Sequence, residues 1–283
     1  MNNKNSLVVS IIVHYQAPEE CINLVKQLQS ITWPNHKIVV VDNQSSDASI
    51  SELQNKINPF SNTTLVQNPR NNGYGGGINY GITQCKHLAP AFFHIINTDI
   101  RIINPEYISD IITSFSQVEN AALIGPAVLD DNKNIQNTIM PFISFVNIFL
   151  FKFKRYKKSL IEKAPRLYPV DVINGVCFVL KSEAFFEIKG FDEEFFMYGE
   201  EHDFCYRLKK AGYRSFFWSG KSIIHTHKNK FQKKEFTWRD ALIRSNQVLF
   251  LKKHKSCIEA FIISFLFAIS YVVKKLRGHI FRG

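Results

Sequence analysis

The sequence predicts an α/β fold, with a mainly parallel central sheet and helices packed on its faces. Three observations carry this expectation. Continuous apolar, β-branched runs alternate with stretches of helical apolar spacing from Leu7 to Phe115. The longer runs stop abruptly at polar residues: His14-Tyr15, Asp42-Asn43 and Asn97-Thr98-Asp99. The chain has 283 residues, 45% hydrophobic and 21% charged, which is enough to fill one large core.

Leu7 to Val13 reads as a buried parallel strand, because a strand covered on both faces needs no polar alternation. Pro18 to Ser30 places Cys21, Leu24, Val25 and Leu28 at helical spacing. Lys37 to Val41 is a second buried strand, Ser49 to Ile57 a helix and Thr64 to Val66 a short third strand. Asn68 to Gly77 reads as a glycine-rich loop that leads into a helix over Ile78 to Lys86. Ala91 to Ile96 is the fourth strand, and Pro105 to Phe115 is helical. The second half is less regular. Ala122 to Leu129, Gly175 to Leu180 and Arg214 to Trp218 read as strands, Phe204 to Ala211 as a helix that closes at Gly212. In open α/β sheets ligands sit outside the carboxyl ends of the strands, so one crevice can collect the three polar clusters.

The formal net charge of +11 favours polyanions: nucleic acid, an anionic membrane or a phosphorylated substrate. The basic residues concentrate at Lys152 to Lys158, Lys228 to Lys234, Lys252 to Lys255 and Lys274 to Arg282. No nucleic-acid-binding motif accompanies them. The five cysteines are scattered without a C-x-x-C pair, which argues against a disulfide framework and fits a reducing compartment. No signal peptide is expected at the N-terminus. Cys257 to Val273 is almost wholly apolar and has basic flanks, so a helix lying on an anionic membrane surface is expected rather than a span. Pro141 to Phe153 is a second candidate for a membrane-facing element.

Two constellations point to chemistry. Asp99, fixed at a strand end, is a hard oxygen ligand suited to Mg²⁺ or Mn²⁺, although an Asp after a strand also serves as a turn cap. Gly199-Glu200-Glu201-His202-Asp203 crowds three carboxylates, which repel one another and raise the pKa of at least one, as a general base requires. In the glycine-rich loop, Gly73 allows close approach of backbone and ligand, and Arg70 can contact phosphate or base. His225 and His227 alternate on a strand and face opposite ways if it is regular; one of them can complete a metal shell.

Six segments in order then carry a resemblance: VSIIVHYQ, VVVDNQSSD, NPRNNGYGGGINYGI, HIINTDI, NGVCFVLKSEAFFEIKGFDEEFFMYGEEHDFCYRLKKAGYR and IIHTH. Together they resemble the family-two glycosyltransferases of GT-A fold, over about Val8 to His227. The long fifth segment is similar to that of bacterial rhamnosyltransferases that build O-antigens and other cell-surface polysaccharides. The resemblance implies a Rossmann-like nucleotide-binding half over 1–120, an acceptor and catalytic-base half over 121–250, and a membrane-associating tail over 251–283. It implies that Val13, His14, Tyr15, Asp42 and Asn43 line the nucleotide pocket, with Arg70, Gly73 and Asn97 on the donor side. Asp99, helped by His225, holds the metal. Glu201 is the base, in a position where the family usually has Asp. Glu200, Asp203, Arg207 and Trp218 belong to the acceptor side. Asn97 stands where many members have Asp.

The expected reaction is inverting transfer of a sugar, L-rhamnose from dTDP-L-rhamnose first and a hexose from a UDP-sugar as the alternative. The expected acceptor is an undecaprenyl-diphosphate-linked glycan at the cytoplasmic face of the membrane. A homodimer is left open. A non-catalytic glycan-assembly scaffold is the rival of another class. A sugar nucleotidyltransferase is disfavoured, since a glycine-rich basic loop would follow the first strand where His14-Tyr15-Gln16-Ala17-Pro18 stands.

Overall fold

The structure is a computed structural model that describes residues 5–149, 167–226 and 238–280. The first half alternates as expected: β1 (Val8–His14), α1 (Pro18–Leu28), β2 (His36–Asp42), α2 (Asp47–Ile57), β3 (Thr63–Gln67), α3 (Gly73–Cys85), β4 (Phe92–Ile96), the short β5 (Ile100–Arg101) and α4 (Tyr107–Ser114). The second half contains β6 (Ala121–Leu129), β7 (Ile139–Met140), α5 (Phe145–Phe149), β8 (Leu167–Val170), β9 (Val172–Ile173), β10 (Cys177–Lys181), α6 (Ser182–Glu187), α7 (Glu200–Lys210), β11 (Arg214–His225), α8 (Trp238–His254) and α9 (Cys257–Ile280).

The main sheet runs β3-β2-β1-β4-β10-β6-β11-β5, with β8 also paired to β11. β1, β2, β3 and β4 are parallel, and β6 is parallel to β11. β10 lies between β4 and β6 and runs antiparallel to both, so a strand from the second half joins the two halves into one sheet. Side chains of successive residues serve opposite faces. Val8, Ile12, Ile38 and Val40 share one apolar layer with residues of α1, α2 and α4, whereas Val9, Ile11, Val39 and Val41 share the opposite layer with residues of α3 and α7. Within the first layer Ser10 bonds both His36 and His94 at 2.7 Å, and Tyr107 reaches the other nitrogen of His94 at 2.7 Å. Burial holds the His94 imidazole down at about 3, so this chain stays uncharged and pins α4 under β4.

α3 corrects the sequence reading. The helix begins at Gly73 rather than Ile78, and the glycines expected in a loop form its first turn. Packing overrides their poor helix propensity. A Cβ at Gly81 would stand 2.5 Å from Val41 Cγ2, and one at Gly77 would stand 2.9 Å from Val13 Cγ1, so only glycine lets α3 lie this close to the sheet. The expected domain boundary at 250 falls inside α8, and the apolar tail begins as a separate helix at Cys257. Of the second membrane-facing candidate, Phe142, Ile143 and Ile148 are buried in the core; its continuation past 149 lies outside the described residues. So do His227 and the basic clusters at 152–158 and 228–234. Among the described residues no helix is long and apolar enough to cross a membrane.

Candidate active site

The carboxyl ends of β1 and β2 meet in register at His14 and Asp42. His14 Nδ1–H donates to Asp42 Oδ1 at 2.9 Å. Its Nε2 accepts from the Ala17 N–H at 3.2 Å, and a backbone N–H can only donate, which assigns the tautomer. Asp42 Oδ2 accepts from the Ser45 N–H at 3.1 Å. Burial pushes the Asp42 carboxyl up, but the bonds from His14 and Ser45 outweigh it and hold the pKa below the usual range. Both side chains are closed to solvent, at 0% and 1% exposure. The two residues expected to line the nucleotide pocket therefore lock the β1–α1 and β2–α2 turns together. Tyr15, next in sequence, is exposed.

Asn43 is likewise occupied internally. Its Nδ2 donates to Asn71 Oδ1 and to Gly73 O, and its Oδ1 accepts from Asn68 at 2.8 Å. Val13 is half-buried against Gly77. Arg70 projects into solvent 3.9 Å from Glu193. Gly73 does not present its bare backbone to a ligand. It has φ +81°, and a Cβ there would fall 1.8 Å from Phe196 O. Gly73→Ala is expected to destabilise the fold by on the order of 3 kcal/mol or more, read as a drop in the melting midpoint.

The two residues expected to hold a metal do meet. Asp99 Oδ2 lies 3.1 Å from His225 Nε2, although the two are far apart in sequence. His225 Nδ1–H points to Gln136 Oε1 at 2.8 Å, and Gln136 Nε2 donates to the His225 carbonyl at 2.9 Å. Gln136, which nothing in the sequence marked, thus turns the Nε2 lone pair toward Asp99. The Thr226 N–H and hydroxyl both bond the Asp99 carbonyl, which fixes the turn. Asp99 Oδ1 is buried with no hydrogen-bond partner among the described residues. A buried carboxylate oxygen without a partner, beside an imidazole nitrogen, fits a divalent cation. Among the described residues no cluster of three or more ligating side chains exists, so substrate and water would complete the shell. Asn97 sits at the same strand end, its N–H bonded to Val176 O at 3.0 Å.

On the other side of that contact stands the acidic helix. Gly175 N–H donates to Glu201 Oε1 at 2.9 Å, and Tyr74 OH donates to Gly175 O at 2.7 Å. A Cβ at Gly175 would intrude 2.8 Å from the carboxylate and 2.9 Å from the tyrosine ring. Glu200 Oε2 accepts from the Gly199 N–H at 2.8 Å. Burial raises the Glu201 pKa against the pull of the Gly175 N–H, and burial followed by repulsion from Glu201 raises Glu200 well above the ordinary range. Burial, and after it the charges of Glu201, Glu200 and Asp99, raise the Tyr74 pKa, so the three carboxylates lie near one tyrosine. Tyr74 and Gly175 escaped the sequence reading, although both lie in segments it quoted.

Three residues expected on the acceptor side point elsewhere. Asp203 is fully buried; it binds Arg207 at 2.6 Å and His254 Nε2 at 2.6 Å and ties α7 to α8. Arg207 Nη1 donates to Ile188 O. Trp218 is 8% exposed in the apolar layer beside Phe216 and Ile223, because its place on β11 faces the core.

Comparisons with known proteins bear on the family and the fold. Residues 6–238 match the family described as Glycosyltransferase like family 2. A low-salt glycan biosynthesis hexosyltransferase of Haloferax volcanii is 31% identical over 201 residues, 71% of this chain and 61% of that one. An N-acetylglucosaminyl-diphospho-decaprenol L-rhamnosyltransferase of Mycobacterium tuberculosis is 26% identical over 207 residues, 66% of each chain. The chain thus spans somewhat under two thirds of these relatives. The structure of GalNAc-T7 with UDP, GalNAc and Mn²⁺ has a TM-score of 0.65 at 13% identity, covering 87% of this chain and 48% of the other. The mannosyltransferase PcManGT from Pyrobaculum calidifontis, in complex with GDP-Man and Mn²⁺, has a TM-score of 0.58 at 11% identity, covering 94% and 81%. These two likenesses are of fold, and the fold is GT-A.

Proposed function

The chain belongs to the family-2 glycosyltransferases, and from that premise we propose that it transfers a sugar, with inversion, from a nucleotide donor to a lipid-linked glycan. Glu201 carries the reading: it is a carboxylate of raised pKa, held by the Gly175 N–H and near the same tyrosine, Tyr74, as Asp99. In this reading Glu201 takes the proton of the acceptor hydroxyl. The oxygen then attacks the anomeric carbon as the bond to the nucleoside diphosphate breaks. Asp99 and His225 would hold Mg²⁺ or Mn²⁺, which supplies charge neutralisation for the leaving diphosphate. Tyr15, the backbone of the β1 and β2 ends and Arg70 form the donor side. Asp42 and His14 act by fixing those ends.

dTDP-L-rhamnose is the first donor to test, on the strength of the rhamnosyltransferase relative, with UDP-hexoses beside it because of the hexosyltransferase. A polyprenyl-diphosphate-linked N-acetylglucosamine is the acceptor to offer. Transfer from none of these donors, with any divalent cation, would refute the reading. The rate is expected to depend on a deprotonated Glu201. Because its pKa is raised, activity falls away on acidification at a pH above the ordinary glutamate value of 4.5. A pH–rate profile with its acid limb at or below that value would contradict this.

We place the protein on an anionic membrane surface through α9. Ile258, Phe261, Ile262, Phe265 and Ile269 are exposed at helical spacing, while Ala260 and Ile263 pack inward. Phe261→Asp is expected to release the protein from phosphatidylglycerol vesicles in co-sedimentation and to leave donor hydrolysis unchanged.

A further inference from the structure

The segment from Phe191 to Gly199 carries the acidic helix α7 and is held from two sides. On one side the Tyr74 N–H donates to Phe196 O, and Asn72 and Asn79 bind Glu193. On the other, Lys253 of α8 binds Asp192 and Glu194, and Asn246 Nδ2 donates to Met197 O at 2.7 Å and to Tyr198 O at 3.1 Å. Between these clamps Tyr198 adopts φ +66° and Gly199 φ +157°. That is an uncommon conformation for a tyrosine, maintained only where the surroundings impose it. Tyr198 stands half-buried two residues before Glu200.

The ring does not stand alone. Trp238, first residue of α8 and 62% exposed, has its centroid 6.4 Å from that of Tyr198 at 46°. The Arg239 guanidinium lies over the tyrosine ring, 4.8 Å from its centroid. Phe196 is exposed on the same segment. Trp238 and Phe196, left open to water beside the half-buried Tyr198, are aromatic surface of the kind that marks a ligand site rather than a core. Flat aromatic faces suit the apolar faces of a sugar ring, and a guanidinium suits phosphate.

The position of α9 adds a direction. It returns along α8, with Ser264 and Phe267 against Arg244, Ser245 and Val248, and its outer face carries the exposed apolar stripe. From its start just after His254, α9 runs back to bring Phe267 beside Arg244, toward the first turn of α8 where Trp238 and Arg239 stand.

We propose that Tyr198, Trp238 and Arg239 form the acceptor subsite: the acceptor sugar stacks on the two rings and its diphosphate meets Arg239. The proposal rests on the transferase reading, but its test does not require turnover. The full-length Glu201→Gln protein is titrated by calorimetry with farnesyl-diphospho-N-acetylglucosamine and with octyl N-acetylglucosaminide, which lacks the diphosphate. Trp238→Ala in that background is expected to weaken both probes about tenfold. Arg239→Gln is expected to weaken only the diphosphate probe, also about tenfold. Donor affinity stays unchanged in both variants, which also shows that they fold. Vesicle co-sedimentation separates the two sources of phosphate. If Arg239→Gln releases the protein from phosphatidylglycerol vesicles and leaves the diphosphate probe unaffected, Arg239 serves lipid headgroups and the proposal fails. It fails equally if neither probe binds, or if both variants bind both probes as the parent does. If the probes bind as proposed but the Glu201 enzyme never transfers sugar, the transferase reading fails and the subsite stands.

Discussion

Glu201→Gln is expected to lower transfer by about a thousandfold, the range lost when a general base is removed, and to raise thermal stability at neutral pH. The two effects share a cause. The glutamine can keep the bond from the Gly175 N–H, because its amide oxygen replaces Oε1, so the cleft keeps its shape. It cannot take a proton from the acceptor. The stability gain follows from linkage. Burial raises the Glu201 pKa, so the folded state binds that proton more tightly than the unfolded chain does. As pH rises from the ordinary value of 4.5 through the raised one, the folded state loses stability relative to the unfolded chain. Above that window the charged carboxylate is a standing cost that a neutral amide removes, and removing it also relieves the repulsion felt by Glu200. Thermal melts from acid to neutral pH check the sign: the variant's advantage should vanish at acid pH. A variant that transfers normally, or that melts lower than the parent at neutral pH, would remove Glu201 from the role.

Asp99→Ala is expected to lower transfer by on the order of a hundredfold or more and to abolish its dependence on added Mn²⁺. The substitution deletes the only carboxylate that the described residues place beside His225, including the buried oxygen that lacks a partner. The parent should lose activity in EDTA and recover it with Mn²⁺. The variant should respond to neither. A parent fully active in EDTA would end the metal assignment for this pair.

Much of the first half was legible because its strands are buried on both faces. Such strands read as unbroken runs, and Leu7 to Val13 and Lys37 to Val41 needed no partner to be recognised. Asp99 and His225 were both singled out from sequence, and they meet although 126 residues separate them. What escaped depends on partners. Nothing local distinguishes a glycine that frees a loop from one that admits a helix to a sheet, so Gly73 to Gly77 read as loop. His14 and Asp42 each look available to a ligand until their register pairs them. Trp218 ends the strand expected from sequence, but β11 runs on to His225 past a register shift between Trp218 and Ser222, and the ring lies in the core. Gln136 lies in irregular chain, and only the histidine it orients reveals its use. Gly175 has meaning only once Tyr74 and Glu201 are seen on either side of it.

The place of β10 has a consequence for synthesis. A nascent chain that has emerged only to residue 120 carries β1 to β4 with the far side of β4 unpaired, and β6, when it follows, has no neighbour on that side either. Both edges wait for Cys177 to Lys181, which pair with Ile96 to Phe92 on one side and with Ile124 and Leu123 on the other. Through that interval the ribosome displays two apolar strand edges of the kind that attract foreign strands. The first half of the chain is thus completed as a sheet only by the second, and its open edges are closed when β10 arrives.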